Sequence, residues 1–329
     1  MKQFSIVIPV FNEDRQIGEL LNSLQKVDYP DDCFEIIVVN DGSTDQTTQV
    51  VQRYGDVRLV DLPENVGRYY ARKAGAEAAR NQGILFVDSR TIIDPAVLSV
   101  LAGVDAKAVN GNAVGAIKPG AFETFYQAIR RLVFPDFYKV NGKPFFLTVD
   151  NFDRMQKGTT IFYIEKEVLM EVFSDLSTSE MGKHSSDDTK FLRTILNRTP
   201  ILVHPDVKTK YIARTAFGAS IRHLYERGPR FVDYYFDPTK KHFWLVIVIP
   251  FAMVLGLVCG LVFAPGSSLQ KFAVLACLDI LIAIILARTV EEFIKILYIT
   301  PVCLTVFYLG ILRGIIRKLR SPRKRPGNI

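Results

Sequence analysis

Short apolar runs alternate with segments of helical spacing in the first part of the chain. Four of these runs predict β-strands, at residues 4–10, 34–39, 57–62 and 84–87, and the first has the composition of a buried parallel strand. The intervening segments predict helices at residues 13–27, 44–54 and 67–81; the first of these carries Ile17, Leu20, Leu21 and Leu24 at helical spacing. Strands that alternate with helices indicate an α/β fold, with a parallel sheet and helices on both of its faces.

The middle of the chain is less regular. Residues 110–117 and 159–164 have the composition of strands, and residues 144–153 that of a loop or an edge strand. A helix is predicted to begin near Asp187, because apolar residues share one face after it: Phe191, Leu192, Ile195 and Leu196. Residues 214–235 mix arginines with aromatic side chains directly before the most apolar part of the chain, which predicts helices that lie at a membrane surface.

Residues 243–312 are almost uniformly apolar, which implies that lipid is their solvent. Three apolar runs lie there, at residues 245–263, 272–287 and 296–312, and Asp279 interrupts the second. Lys240 and Lys241 precede the first run and a basic tail follows the last, so the positive-inside rule places both in the cytoplasm. Because three crossings would separate them, we expect two crossings and one shallow helix. Asp279 would need a partner in another helix or in a second subunit.

Composition and charge sharpen this division. The chain has 329 residues, 49% of them hydrophobic, and a net charge of +7. The charge excess equals that of the basic residues which end the chain: Arg313, Arg317, Lys318, Arg320, Arg323, Lys324 and Arg325. Beside an apolar segment, such a cluster favours anionic lipid head groups over nucleic acid. The four cysteines form no Cys-x-x-Cys pair, so they indicate neither a zinc site nor a disulfide framework.

These patterns predict four segments along the chain. Residues 1–213 form the α/β domain, residues 214–241 interfacial amphipathic helices, residues 242–316 membrane-embedded helices, and residues 317–329 a basic cytoplasmic tail. The first residues run directly into a strand, which argues against a cleavable signal peptide. We therefore expect an integral protein of the cell membrane whose α/β domain lies in the cytoplasm.

Carboxylates follow two of the predicted strands. Parallel α/β sheets bind ligands beyond the carboxyl ends of their strands, and Asp41 and Asp88 stand at two such ends. Asp41 belongs to the segment Asn-Asp-Gly-Ser-Thr-Asp, in which Ser43 or Thr44 would also serve as a simple helix N-cap. The N-cap does not explain Asp41 itself, since a carboxylate beside a glycine turn suits a hydrogen bond to a nucleobase edge or a ribose hydroxyl.

Two further pairs of charged residues stand at predicted helix starts. Arg68 and Arg72 begin the third helix, where backbone amides and guanidinium groups together attract phosphate. A solvated helix face without function is the alternative for both. Asp187 and Asp188 begin a later helix, where the helix dipole favours acids in any case. The residues alone leave both pairs open.

In their order and spacing these segments resemble the family 2 glycosyltransferases, which have the GT-A fold. The resemblance rests on Val-Ile-Pro-Val-Phe-Asn-Glu at residues 7–13 and on Asn-Asp-Gly-Ser-Thr-Asp at residues 40–45, and it is strong over residues 4–95. The later part is similar to bacterial membrane glycosyltransferases of exopolysaccharide assembly, and the polyprenyl-phosphate glycosyltransferases share the first half. The resemblance implies a sugar-nucleotide site whose nucleoside side is lined by Pro9, Phe11, Glu13 and Asp41. On its phosphate side we expect Arg68, Arg72, Asp88 and Arg90.

The same resemblance implies two catalytic roles. Asp88 takes the first place of the family's Asp-x-Asp signature, which holds a divalent cation, Mg²⁺ or Mn²⁺, on the diphosphate. Asp187-Asp188 takes the place of the family's Glu-Asp pair, and Asp188 would be the general base of a single inverting displacement.

One departure from the family pattern affects the metal site. Arg90 replaces the second Asp of the signature, and an arginine offers no oxygen to a hard cation. Three outcomes follow, in our order of preference. Asp88, the diphosphate and water suffice for the cation, or Arg90 itself neutralises the diphosphate, or the site is inactive.

The function implied is an inverting transfer of a sugar from a UDP- or GDP-sugar to a lipid-linked or growing polysaccharide acceptor at the membrane. Membrane lipids are expected partners, nucleic acid is not, and a homo-oligomer is left open. Arg214, Arg222 and Arg227 would bind the phosphate of a lipid acceptor, or else snorkel beside head groups. Transfer directly to polyprenyl phosphate and a non-catalytic, nucleotide-sugar-binding scaffold are the alternatives. A dinucleotide enzyme is disfavoured, because no Gly-x-Gly-x-x-Gly follows the first strand.

Overall fold

A computed structural model describes residues 1–117, 119–136, 142–155, 157–176, 187–214, 216–236 and 266–320. The chain divides into two compact units. The first is built from Met1–Pro119, Arg130–Lys183 and Asp187–Ala213, and the second contains Gly120–Ile129 and the residues from Arg214 onward. The predicted apolar run at 245–263 and the end of the basic tail, residues 321–329, lie outside the described residues.

The described residues form nine strands and ten α-helices. The strands are β1 (Phe4–Val10), β2 (Phe34–Asn40), β3 (Val57–Asp61), β4 (Gly83–Val87), β5 (Thr91–Ile93), β6 (Ala108–Ile117), β7 (Phe145–Leu147), β8 (Ile161–Glu165) and β9 (Ile201–Ile212). The helices are α1 (Ile17–Leu24), α2 (Thr47–Val51), α3 (Arg68–Ala78), α4 (Val97–Ala102), α5 (Ala121–Val133), α6 (Lys166–Asp175), α7 (Asp187–Leu196), α8 (Phe217–Tyr235), α9 (Ser268–Leu286) and α10 (Val290–Arg320).

All nine strands belong to one sheet in the first unit, in the order β3-β2-β1-β4-β8-β6-β9-β5, with β7 paired to β9. Strands β3, β2, β1 and β4 run parallel, with Phe4 opposite both Phe34 and Gly83. Strand β8 runs antiparallel to both of its neighbours, β4 and β6. The predicted α/β fold is confirmed, and the carboxyl ends of β1, β2 and β4 meet at one edge of the sheet.

Burial explains why these segments form the layers. Every residue of β1 is buried, as a central parallel strand covered on both faces requires. On one face the sheet packs against α1, whose Ile17, Leu20, Leu21 and Leu24 are buried as predicted. On the other face Phe191 of α7 packs edge-on against Phe86 of β4, with ring centroids 6.3 Å apart. This contact anchors the helix that begins with Asp187 and Asp188.

Two strands were not predicted, β5 and the long β9. Pro205 lies inside β9, and a proline argues against a central strand because it cannot donate a ladder hydrogen bond. The pairing of β6 with β9 shifts at this point: Asn110 lies opposite Val203, but Asn112 lies opposite Lys208. An irregularity of the ladder therefore accommodates the proline, and the strand continues beyond it.

The second unit contains the two apolar helices α9 and α10. Each is long and apolar enough to cross a membrane, with 18-residue windows of mean hydropathy 2.3 and 1.9. Large apolar side chains of α9 are more than half exposed, among them Leu269, Phe272, Ile284 and Ile285. An apolar surface of this kind is expected of a helix that faces lipid. A cluster within the unit joins Phe125 of α5, Ala283 of α9 and Ile299 of α10.

Helices α8 and α10 meet backbone to backbone. A Cβ atom added to Gly228 would lie 2.2 Å from the carbonyl carbon of Gly310, and one added to Gly310 would lie 2.4 Å from the carbonyl oxygen of Tyr225. Only glycine permits so close an approach, which is typical of helix pairs in membranes.

Candidate functional site

The candidate site lies at the carboxyl ends of β1, β2 and β4, within the first unit. The loops after β1 and β2 are joined by hydrogen bonds. The amide N–H of Asn12 donates to Ser43 Oγ at 3.0 Å, and the amide N–H of Thr44 donates to Asn12 Oδ1 at 2.8 Å. Asn12 adopts a positive φ of 52°, which asparagine tolerates better than most residues. Ser43 and Thr44 therefore bind the neighbouring loop, and helix α2 begins only at Thr47.

Asp41 is 4% exposed, and the backbone of the loop before α3 binds its carboxylate. Oδ1 accepts the amide N–H of Val66 at 2.8 Å, and Oδ2 accepts the amide N–H of Gly67 at 3.0 Å. Gly42 has a φ of 67°, and a Cβ atom there would lie 2.5 Å from the carbonyl carbon of Glu64. In this structure Asp41 fixes the loop that leads to Arg68.

Two arginines of α3 form ion pairs with three carboxylates, those of Asp88, Asp187 and Asp188. Arg72, whose side chain is 5% exposed, places Nη2 3.4 Å from Asp88 Oδ1 and Nη1 3.0 Å from Asp188 Oδ1. Arg68 binds Asp187 through Nε and Nη2, at 3.0 and 2.9 Å, and Nη2 also lies 2.8 Å from Asp188 Oδ2. Since arginines three or four residues apart share a helix face, their spacing in α3 explains why both reach this point.

A threonine completes the surroundings of Asp188. Thr159 Oγ1 donates to Asp188 Oδ1 at 2.5 Å, and the carbonyl oxygen of Thr159 accepts from Arg72 Nη2 at 3.1 Å. Burial alone would raise the pKa of Asp188, but Arg68, Arg72 and the Thr159 hydroxyl outweigh it and hold that pKa well below its usual range. Asp188 is therefore ionised, with both of its oxygens bound.

The pKa of Asp88 is shifted in the opposite direction from that of Asp188. Burial raises the pKa of Asp88, although Arg68 and Arg72 oppose the shift, and the neighbouring carboxylates of Asp188 and Asp187 add to it. Arg68 Nη1 is 4.0 Å from Asp88 Oδ1, at the limit of an ion pair. Three carboxylates face two guanidinium groups here, so the cluster carries more acidic than basic side chains.

Arg90 and Glu13, both predicted to contact the sugar nucleotide, bind each other. Arg90 Nη1 lies 2.8 Å from Glu13 Oε2, and Arg90 Nη2 donates to the carbonyl oxygen of Ile212 at 3.1 Å. Both side chains of the ion pair are mostly buried. Arg90 thus ties the loop after β1 to the end of β9.

Comparison with known families identifies this part of the chain. Residues 5–166 match the family model described as Glycosyl transferase family 2. Residues 5–166 are a family 2 glycosyltransferase domain. The cluster of Asp88, Arg68, Arg72 and Thr159 lies inside this domain, and Asp187 and Asp188 follow it in the chain.

Two curated relatives share the domain. Over 129 residues the chain is 36% identical to the poly(ribitol-phosphate) beta-N-acetylglucosaminyltransferase TarS of Staphylococcus aureus, across 35% of this chain and 22% of TarS. Over 100 residues it is 39% identical to the dolichyl-phosphate beta-glucosyltransferase of Mus musculus, across 27% of this chain and 31% of that protein. The matches thus span about a fifth to a third of these relatives' lengths.

Solved structures extend the similarity to nearly the whole chain. The mannosyltransferase PcManGT from Pyrobaculum calidifontis, in complex with GDP-Man and Mn²⁺, superposes with a TM-score of 0.61 at 18% identity, over 96% of this chain and 88% of that one. TarS 1–349 of Staphylococcus aureus in complex with UDP-GlcNAc gives a TM-score of 0.52 at 17% identity, over 98% and 93% of the two chains. These neighbours confirm the GT-A-like fold of the family 2 domain.

The structure brings most of the predicted site residues to one edge of the sheet, in two groups. Arg68, Arg72, Asp88, Asp187 and Asp188 form one, and Glu13 and Arg90 the other. Pro9 is buried within β1, and Phe11, just after that strand, is 43% exposed. Sequence reasoning missed Thr159, whose only signal was its place in the weakly family-like stretch Lys-Gly-Thr-Thr.

The divalent cation predicted for the family 2 domain depends on one carboxylate, that of Asp88. Among the described residues, no three His, Cys, Asp or Glu side chains are arranged to hold a metal ion. Asp88 is partly exposed and stands where the family signature begins, whereas Arg90 is engaged by Glu13. Mg²⁺ is commonly held by one or two carboxylates with substrate phosphates and water, and the role of Asp88 as such a ligand stays a prediction.

The residues predicted to meet the acceptor belong to the second unit. Arg227 donates to the hydroxyl of Tyr126 through Nη1 and to His223 Nε2 through Nε, the latter at 3.0 Å. Arg222 is exposed on the same helix, and the carbonyl oxygen of Arg214 accepts from Ser220 Oγ at 3.4 Å. Their role at an acceptor stays a prediction.

Asp279 Oδ1 is buried in α9 without a hydrogen-bond partner among the described residues.

Proposed function

We propose that this protein is an inverting glycosyltransferase, which moves a sugar from a UDP- or GDP-sugar to a lipid-linked or growing polysaccharide acceptor at the membrane. The observation that carries the proposal is the cluster of Asp88, Asp187 and Asp188 around Arg68 and Arg72. It lies at the carboxyl ends of parallel strands in a family 2 domain. Structural neighbours that contain GDP-Man and UDP-GlcNAc support the donor class.

In this proposal Asp188 is the general base. It takes the proton of an acceptor hydroxyl as that oxygen attacks the anomeric carbon and the bond to the nucleoside diphosphate breaks on the opposite face. One displacement of this kind inverts the anomeric configuration. The low pKa of Asp188 keeps it ionised before reaction, but it also makes Asp188 a weak base while both arginines bind it.

Binding of the donor would make Asp188 a stronger base. A diphosphate offers Arg68 bidentate acceptors of higher charge than the carboxylates of Asp187 and Asp188. Once Arg68 turns to the diphosphate, Asp188 loses the nearer of its two guanidinium partners. The pKa of Asp188 then rises towards its usual range. The base thus becomes effective when the donor is bound. Asp88 would hold Mg²⁺ or Mn²⁺, which neutralises charge on the departing diphosphate.

A second candidate acceptor is polyprenyl phosphate itself. The observation in its favour is the 39% identity to a dolichyl-phosphate beta-glucosyltransferase. The two apolar helices α9 and α10 suit either acceptor, since both are membrane-bound. We propose a location in the cell membrane with the family 2 domain on the cytoplasmic side, where sugar nucleotides are found.

Product analysis tests the proposal. The full-length protein in detergent is incubated with a panel of UDP- and GDP-sugars and membrane lipid extract, with and without chelator. We expect sugar to move from one donor into the lipid fraction or into polymer, with free nucleoside diphosphate as co-product, and chelator to slow the transfer. An acid-labile monophosphate lipid product would select polyprenyl phosphate. Donor binding without transfer or hydrolysis under any condition would contradict the proposal and favour the non-catalytic scaffold.

A further inference from the structure

A groove in the second unit has a charged side and an apolar side. It has a volume of about 780 Å³ and lies between Tyr225 of α8 and the last turns of α10. Leu309 and Ile316 contribute apolar surface, and three arginines contribute charge: Arg313, Arg317 and Arg320. No acidic residue is among its described lining residues. Such a groove suits an amphiphile with an anionic head.

The arginines form one stripe along α10. Their spacing of four and then three residues places them on one helix face, as i, i+4 and i+7 positions do. At about 1.5 Å per residue the stripe is about 10 Å long. The Arg313 guanidinium lies over the ring of Tyr225, with its carbon 5.3 Å from the ring centroid. The close crossing at Gly310 brings Tyr225 to this position.

A membrane-spanning α10 would place the groove where the helix leaves the hydrocarbon. A bilayer core needs about 20 helical residues, and α10 has 31, with its arginines in the last turns. Basic pockets beside membrane helices at this depth bind phosphate-bearing lipid head groups.

We propose that this groove is a specific site for an anionic phospholipid. The phosphate of the head group would accept hydrogen bonds from Arg313, Arg317 and Arg320, and the acyl chains would lie along Leu309 and Ile316. Phosphatidylglycerol has this chemistry, whereas the choline of phosphatidylcholine would bring a cation towards the arginines. The proposal concerns a site in the second unit and does not depend on the transfer reaction.

The alternative is diffuse attraction between the basic tail and any anionic surface. The chain offers a matched control for this case, because Arg323, Lys324 and Arg325 carry the same charge a few residues later. Diffuse attraction depends on the number of charges near the lipid surface, so both sets would contribute equally. A built site depends only on the three arginines of the groove.

The test uses the full-length protein, delipidated in a neutral detergent and titrated with palmitoyl-oleoyl-phosphatidylglycerol or -phosphatidylcholine, with bound lipids counted by native mass spectrometry. We expect one phosphatidylglycerol to bind at least about tenfold more tightly than phosphatidylcholine. The triple variant Arg313→Gln, Arg317→Gln, Arg320→Gln should lose about a hundredfold of this affinity, because roughly 1 kcal/mol per basic residue near a lipid surface adds up to about 3 kcal/mol. The control Arg323→Gln, Lys324→Gln, Arg325→Gln should change it less than about twofold.

Three results would overturn the proposal: equal losses in both triple variants, equal affinity for the two lipids, or displacement of phosphatidylglycerol by equimolar polyprenyl phosphate, which would make the groove an acceptor site. Thermal unfolding in detergent checks that the glutamine variant is folded. If it is not, the variant Arg313→Lys, Arg317→Lys, Arg320→Lys decides the matter. It keeps the charge but loses the planar fork of arginine, so a specific site should lose several-fold in affinity, and unchanged affinity would count against one.

Discussion

The ends of strands β2 and β4 hold their carboxylates in different ways. At the end of β2, Asp41 accepts backbone N–H groups of Val66 and Gly67, which cannot leave without unfolding the loop. After β4, Asp88 and Asp188 are bound by arginine side chains, which can rotate to another anion while the backbone stays in place. The first arrangement builds a rigid frame, and the second can exchange a carboxylate for a phosphate.

The strongest test of this difference is Asp188→Asn. If Asp188 is the base, transfer should fall about 10²- to 10⁴-fold, while donor binding changes little, because Arg68 and Arg72 remain to bind the diphosphate. Transfer rates and nucleotide affinity are measured on the same preparations. Asp175→Asn is the matched control, since Asp175 pairs with Arg198 in an exposed position. Near-normal transfer by the Asp188 variant would show that the base is another residue.

Asp41→Ala should instead damage the fold. Two buried amides would lose a charged acceptor, and we expect the free energy of unfolding to drop by about 2–4 kcal/mol. Asp88→Ala should cost less than about 1 kcal/mol, because Arg72 keeps Asp188 and the carbonyl oxygen of Thr159 as partners. Denaturant unfolding of both variants in detergent measures the two values. Equal losses of unfolding free energy in the two variants would show that Asp41 and Asp88 contribute to the fold in the same way.

Arg68→Gln should change the pH dependence of transfer. Arg68 lowers the pKa of Asp188 in the folded protein, so its removal raises that pKa and moves the acid limb of kcat/KM to higher pH. A depressed folded-state pKa stabilises the protein above the unfolded pKa of about 4, and this stabilisation is lost as the pH falls. The variant should therefore show a weaker dependence of stability on pH in that range. Arg198→Gln, at an exposed ion pair, should move neither profile.

Thr159→Val should give the smallest effect, in the same direction. The variant loses the hydroxyl that donates to Asp188 Oδ1 but keeps the carbonyl oxygen that binds Arg72. The loss of one hydrogen bond to a charged group should lower the free energy of unfolding by about 1.5 kcal/mol. Its acid limb should also shift to higher pH, and Thr159→Ser should restore both. An unshifted limb would mean that Thr159 only packs beside the carboxylate.

The sequence predicted the strands that build the parallel side of the sheet, because buried parallel strands appear as continuous apolar runs. It did not predict β9, whose Pro205 is tolerated by a shift in pairing that only the neighbouring strand β6 reveals. The sequence also overestimated the extent of α2, which begins at Thr47 and not at residue 44. Ser43 Oγ and Thr44 Oγ1 accept hydrogen bonds from Asn12 in another loop, which local helix signals do not show.

The sequence predicted which residues belong to the candidate site, but it did not predict the hydrogen bonds and ion pairs between them. Motif resemblance pointed to Asp88, Asp187 and Asp188, and the structure brings them together. No pattern along the chain indicated that Glu13 and Arg90, 77 residues apart, would bind each other. Nor did it show that backbone amides would bind the carboxylate of Asp41. Partner choice among polar side chains depends on tertiary distances, which hydrophobic periodicity does not encode.

The glycine crossing of α8 and α10 also has a consequence for biosynthesis. Gly310 is made about 80 residues after Gly228. At about 5–20 residues per second, helix α8 waits roughly 4–16 s for the partner against which it packs. During that interval the face around Gly228 and Val232, buried in the finished protein, lacks the helix against which it packs. If the ribosome paused or terminated before α10, chaperones or proteases could bind the uncovered packing face of α8.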